Sequence, residues 1–110
     1  MSLRNADRAV IDTAKVRDYL LAAAHPVGRF KARFFFALGY AAEQWERLRD
    51  DILILARTGA VSGETAIAYG RKFEVDGILA GPTGRSATVR SVWIMRTGED
   101  FPRLVTVFPR

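Results

Sequence analysis

Apolar residues recur at every third or fourth position along the first half of this chain and at every second position along the second half. The first spacing lines one side of a helix, the second one side of a strand. Asp12 or Thr13 is suited to cap a first helix, whose stripe is Val16, Leu20 and Ala23 or Ala24. Pro26 ends it, because the residue before a proline is pushed out of the helical region, and Gly28 permits a sharp redirection. A second helix runs from about Arg29 to Leu38, with Phe30, Phe34 and Leu38 as its core face and Arg29 and Arg33 on a neighbouring one. Gly39 stops it where a C-terminal glycine usually sits. A third helix spans about Ala42 to Arg57, with Trp45, Leu48, Ile52 and Leu55 inward and Glu43, Glu46, Arg47, Arg49 and Asp50 on the wet side.

Thr58-Gly59 closes that helix, and a loop through Ser62-Gly63-Glu64 follows. From Ala66 onward the period is two: Phe73, Val75 and Leu79 alternate with Glu74, Asp76 and Ile78. Gly81-Pro82-Thr83-Gly84 and Thr97-Gly98-Glu99-Asp100 are turn signals. Between them, Ser86 to Met95 form the longest strand, with Val89, Trp93 and Met95 on one face and Arg90, Val92 and Ile94 on the other. Leu104 to Phe108 form the last strand, with Leu104, Thr106 and Phe108 on one face. The opening stretch from Asn5 to Ile11 has no clear period and reads as an arm or short edge strand. Helices first and hairpins after predict an α+β fold: about three N-terminal helices followed by an antiparallel sheet of three to four strands, the helices on one sheet face. The 110 residues read as a single domain spanning 1–110, long enough to bury a core without staples.

Composition narrows the function classes. Cysteine is absent, which excludes disulfides and thiolate metal sites, and a single histidine leaves no zinc-ligand spacing. No metal and no cofactor are therefore expected. No apolar run reaches the roughly 20 residues of a membrane span, and no signal-peptide core is recognisable, so the expectation is a cytoplasmic protein away from membranes. The net charge is +5, and residues 1–36 alone carry +4. Fourteen of the 17 basic residues are arginine, whose planar fork grips phosphate with two hydrogen bonds. That balance suits an anionic partner such as RNA; the plainer reading is a basic surface from arginine-rich codon usage.

The chemistry-bearing candidates cluster at one junction. His25, the only histidine, stands between the first two helices, where it can serve as general acid or base near neutral pH; its structural alternative is to favour the carbonyl end of the first helix. Arg29, Lys31 and Arg33 follow at the start of the second helix, where backbone N–H groups and cations make an anion site; alternatively they are a solvated face. Tyr69-Gly70-Arg71-Lys72 opens the sheet, and Tyr69 can stack a base or simply begin a strand. Arg90, Trp93 and Thr106 lie on the last two strands, where the Thr106 hydroxyl is either bonded to its own backbone or presented to a substrate. Gly81 to Arg85 lacks phosphate-loop spacing and is a hairpin turn. Asp18, Glu74, Asp76, Glu99 and Asp100 show no spacing of a metal or paired-carboxylate site, and no serine or cysteine nucleophile motif is present.

Taken together, these stretches carry a resemblance. The chain has an N-A-D-R-A-V opening (Asn5 to Val10), a D-Y-x-L helix (Asp18 to Leu21) and an H-P-x-G-R-x-K-A junction (His25 to Ala32). A Tyr-Gly before a strand, a G-P-x-G-R hairpin, a V-x-S-x-W-I strand and a G-E-D-F-P-R-L-V-T ending follow. In this order they resemble an uncharacterised bacterial domain family similar to C-terminal modules of polymorphic toxins. The helices-then-sheet order is similar to the barnase/EndoU/colicin/RelE class of metal-independent ribonucleases. The resemblance implies RNA as substrate and a cognate acidic immunity or antitoxin protein as partner. Many members carry a second histidine where this chain has Phe30. On this reading His25, Lys31 and Thr106 are catalytic, Arg29, Arg33, Tyr69, Arg90 and Trp93 bind substrate, and Glu74 or Tyr69 is the second proton carrier. The alternative is a non-catalytic binding module, or a degenerate toxin domain in a toxin–antitoxin-like pair, which holds nucleic acid or an acidic protein with the same basic face. The sequence leaves the oligomeric state open.

Overall fold

A computed structural model describes residues 2–21 and 28–110, with the backbone alone for 28–30. After a tight 3-10 turn at Ala6–Arg8, helix α1 covers Thr13–Lys15 and continues as a wider π turn over Val16–Leu20. Helix α2 spans Gly28–Ala37, and a 3-10 turn at Ala42–Gln44 leads into α3, Trp45–Thr58. Strands β1 (Ala60–Ile67), β2 (Gly70–Ala80), β3 (Ser86–Arg96) and β4 (Arg103–Pro109) then form an antiparallel meander in sequence order. This is the expected α+β arrangement, with four strands.

Local chemistry sets the helix ends. The Asp12 carboxylate caps α1 by accepting from the Ala14 N–H at 3.1 Å. At the end of α2, Gly39 takes φ +99°, the left-handed conformation glycine adopts without strain. Its N–H donates to Phe36 O, and the Tyr40 N–H reaches back to Phe35 O. This pairing reverses the chain and brings the Phe35 and Tyr40 rings edge to face, with centroids 6.4 Å apart. The Tyr40 hydroxyl donates to Asp51 on α3 at 2.7 Å, and the Thr83 hydroxyl of the β2–β3 turn donates to Leu38 O at 3.2 Å. Helix α2 is thus tied at its far end to both α3 and the sheet.

Among the described side chains of α2, Ala32 and Phe35 are buried, followed by Leu38, which corrects the expected stripe of Phe30, Phe34 and Leu38 at Phe34. Phe34 is only half-buried, and the Phe30 side chain lies outside the described residues. The helix is apolar on most sides, so spacing alone does not choose its inner face; the Phe35–Tyr40 contact of the chain reversal does. Helix α3 buries Leu48, Ile52 and Leu55 as expected, with Ala56 beside them.

The residues read as a loop, Ser62 to Glu64, lie inside β1, which pairs with β2 from Ala60↔Asp76 to Ile67↔Gly70. No residue of β1 is buried, so this edge strand has no apolar alternation to betray it. The arm at Val10 makes one parallel bridge with Arg103: the Val10 N–H donates to Pro102 O, and Val10 O accepts from the Leu104 N–H.

Cross-strand register sorts the sheet into two faces, because directly opposed residues share a side. Phe73, Trp93 and Leu104 form one row toward the helices, and Val75, Ser91 and Val107 form the next; all six are buried. Ser91 is tolerated there because its hydroxyl donates to Val75 O at 3.1 Å and accepts from the Trp93 indole N–H at 2.8 Å. Between those rows β4 has a bulge: Val92 pairs with Thr106 and Trp93 with Leu104, leaving Val105 unopposed. Leu104 and Thr106 therefore do not share a face, contrary to simple alternation. The bulge keeps Leu104 and Val107 in the core and turns Thr106 to the opposite side.

Candidate functional site

On the sheet face away from the core, Glu74, Val92 and Thr106 stand opposite one another in a single row. At the usual strand separation the outer two lie about 10 Å apart at the backbone. From α2, Lys31 reaches Thr106: its ammonium donates to the Thr106 hydroxyl at 2.7 Å and to the Tyr19 hydroxyl at 3.4 Å. The same ammonium sits 5.1 Å from the centre of the Tyr19 ring, within cation–π range. Ammonium has donors only, so Thr106 spends a lone pair on Lys31 and keeps its own hydrogen to donate elsewhere. Lys31 is half-buried, and among the described residues it forms no ion pair, only these contacts with neutral oxygens and a ring.

The next row, Asp76, Arg90 and Phe108, is chemically different. Arg90 grips both oxygens of Asp76, at 2.8 and 3.1 Å, and meets Glu74 at 3.0 Å; Arg110 closes on Asp76 from the chain end. The Arg90 hydrogen bonds, helped by the charges of Arg110 and Arg90, hold the Asp76 carboxyl below the usual carboxylate range. Arg90, expected among the substrate-binding residues, is thus already engaged by two carboxylates.

Trp93 is fully buried, with its indole N–H given to Ser91. Its ring has no open face for a base, because the register that places Phe73 and Leu104 beside it points all three at the helices; this corrects the expectation that it binds substrate. Tyr69 does not begin a strand but occupies the β1–β2 turn, where it is 59% exposed. Arg33 is exposed on α2. His25 and the side chain of Arg29 lie outside the described residues. Of the expected set the structure brings together Lys31 and Thr106, leaves Tyr69 and Arg33 on the surface and withdraws Trp93. Tyr19 was not singled out, although it stands in the D-Y-x-L motif twelve residues before the lysine that its ring and hydroxyl contact. Among the described residues no group of three His, Cys, Asp or Glu is placed to hold a metal ion, and no helix is long and apolar enough to cross a membrane.

The fold has a counterpart among solved structures. A chain of the contact-dependent growth inhibition toxin–immunity protein complex from Klebsiella pneumoniae 342 superposes with a TM-score of 0.73, covering 92% of this chain and 99% of that one. Identity between the two is 16%, so the likeness is one of fold. No curated protein matches the sequence. A family model does, over residues 2–110, and on that match the chain belongs to the family described as a domain of unknown function, DUF6883.

Proposed function

We propose that this chain is a small, metal-independent ribonuclease-like domain of the toxin type, with RNA as substrate. The observation that carries the reading is the Lys31 ammonium, half-buried, touching the Thr106 hydroxyl and lacking a carboxylate partner among the described residues. A cation kept out of bulk water without a counter-ion attracts an anion strongly. Lys31 would neutralise charge on the phosphate as the 2′-oxygen attacks, and Thr106 would donate to a non-bridging oxygen. The new bond is from the 2′-oxygen to phosphorus, and the bond broken is to the 5′-oxygen. One group takes the 2′-hydroxyl proton and another delivers a proton to the leaving oxygen. His25, six residues before Lys31 in the chain, would be one carrier, and of the two candidates for the other, Glu74 and Tyr69, this reading takes Glu74 because it stands in the same row as Thr106.

The likeness to a chain from a toxin–immunity complex supports a protein partner; on this reading that partner is acidic and covers the Lys31 ammonium. The test is cleavage of a labelled RNA by the purified chain, beside His25→Ala, Lys31→Ala and Glu74→Gln. Cleavage that depends on all three supports the reading. An RNA left intact by the wild type, or cut equally well by every variant, overturns the enzyme and favours the binding module.

A further inference from the structure

Beside the Lys31–Thr106 row, where the end of β3 meets the start of β4, lies a cleft of about 310 Å³. That volume is at the lower end for small-molecule sites, roughly 300–1,000 Å³. Ile94 of β3 and Val105 of β4 are among the apolar residues of its lining. Three cations line it: Lys15 of α1, Arg96 of β3 and Arg103 of β4. Arg103 is committed to Glu99 through two hydrogen bonds, but Lys15 and Arg96 form no ion pair among the described residues. The carboxylate in the lining, Asp12, is occupied in capping α1. Tyr69 forms one side, its ring among the most exposed large apolar groups of the chain and its carbonyl bound by the Thr97 N–H.

An exposed aromatic ring and two cations without an ion pair among the described residues are the complement of a flat base joined to a phosphate. An acidic peptide would use the cations but not the ring. We infer that this cleft is a nucleotide subsite, with a base against Tyr69 and its phosphate between Lys15 and Arg96. The inference rests on the ribonuclease-like reading for its substrate class and adds where a neighbouring nucleotide sits. Ile94 follows Val92 by two residues, about 7 Å along the strand, so a single RNA chain can pass from the Thr106 row into the cleft without turning.

The experiment reads the cleft directly, without cleavage. The full isotope-labelled chain is titrated with each of the four ribonucleoside 5′-monophosphates, and backbone amide shifts are followed. Shifts at Tyr69, Ile94 and Arg96 are expected, with affinity falling about tenfold in Tyr69→Ala and comparably in Lys15→Gln/Arg96→Gln, while Lys31→Ala leaves them in place. Shifts confined to Lys31 and Thr106 overturn the subsite, as do shifts at the cleft that neither variant weakens. A polyglutamate peptide that binds there equally well with and without the Tyr69 ring overturns it in favour of an acidic protein. A chain that takes nucleotides in the cleft but leaves RNA uncut keeps the subsite and loses the enzyme, so the two readings fail separately.

Discussion

Two half-buried cations share the open face of the sheet and its edge, and their surroundings are opposite. Arg90 is closed in by Asp76 and Glu74 at 2.8 to 3.1 Å, whereas among the described residues Lys31 meets only the oxygens of Thr106 and Tyr19 and the Tyr19 ring. The first arrangement satisfies its charge internally and fixes β2 against β3. The second holds a charge in place while leaving its electrostatic demand unmet, the state expected of a group that waits for an anion. Sharing a face is therefore a poor guide to role; the partner inventory of each cation is a better one.

The comparison breaks first at Lys31. Replacing it with alanine is expected to lower RNA cleavage about 10²- to 10³-fold, the range for removing one donor to a developing phosphate charge, with little change in thermal midpoint. An unchanged cleavage rate would show that its lack of a counter-ion has no catalytic meaning. A smaller effect belongs to Thr106→Val, which preserves shape and deletes the hydroxyl; about a tenfold loss of cleavage is expected, in line with one hydrogen bond from a neutral hydroxyl to a phosphate oxygen. A loss in thermal stability instead of rate would assign that hydroxyl to structure.

The closed pair is predicted to show itself in stability and not in rate. Because the folded state holds Asp76 below its ordinary range, its contribution is present above the unfolded carboxyl value, about pH 4, and fades as pH falls through the folded value. The thermal midpoint of the wild type should drop more steeply from about pH 5 to pH 3 than that of Asp76→Asn, which starts lower at neutral pH. Parallel acid limbs would mean that the Arg90 grip does little in solution. The smallest effect is expected at Glu99, also lowered by hydrogen bonds from Arg103; as a half-buried pair between residues only four apart, it should change the same limb only slightly in Glu99→Gln.

Most of the fold was legible where burial was one-sided. Leu48, Ile52 and Leu55 name the inner face of α3, and Phe73, Val75 and Leu79 that of β2, because each stripe has polar neighbours to contrast with it. Strand β1 was illegible because it buries nothing, and α2 was ambiguous because apolar residues surround it. Residue types at the site were legible in part: Lys31 and Thr106 could be named, but 75 residues separate them and only folding brings them to 2.7 Å. Trp93 was misread because an aromatic residue on a strand looks alike whether its ring faces solvent or Ser91. No local pattern announces that Val105 has no partner.

That unpaired valine works like a shift of reading frame in three dimensions. Ahead of it, one parity of residue number points inward along β4; behind it, the other parity does. Deleting Val105 would leave a regular ladder with Leu104 and Val107 still inward and Thr106 still outward, whereas keeping Val105 and pairing it regularly would exchange the sides of a polar hydroxyl and a buried methyl group in one stroke. Relatives of this chain that keep all four positions from Leu104 to Val107 but pair them without a bulge would accordingly differ in kind, since a threonine at the same aligned position would be an interior residue there and is a surface residue here.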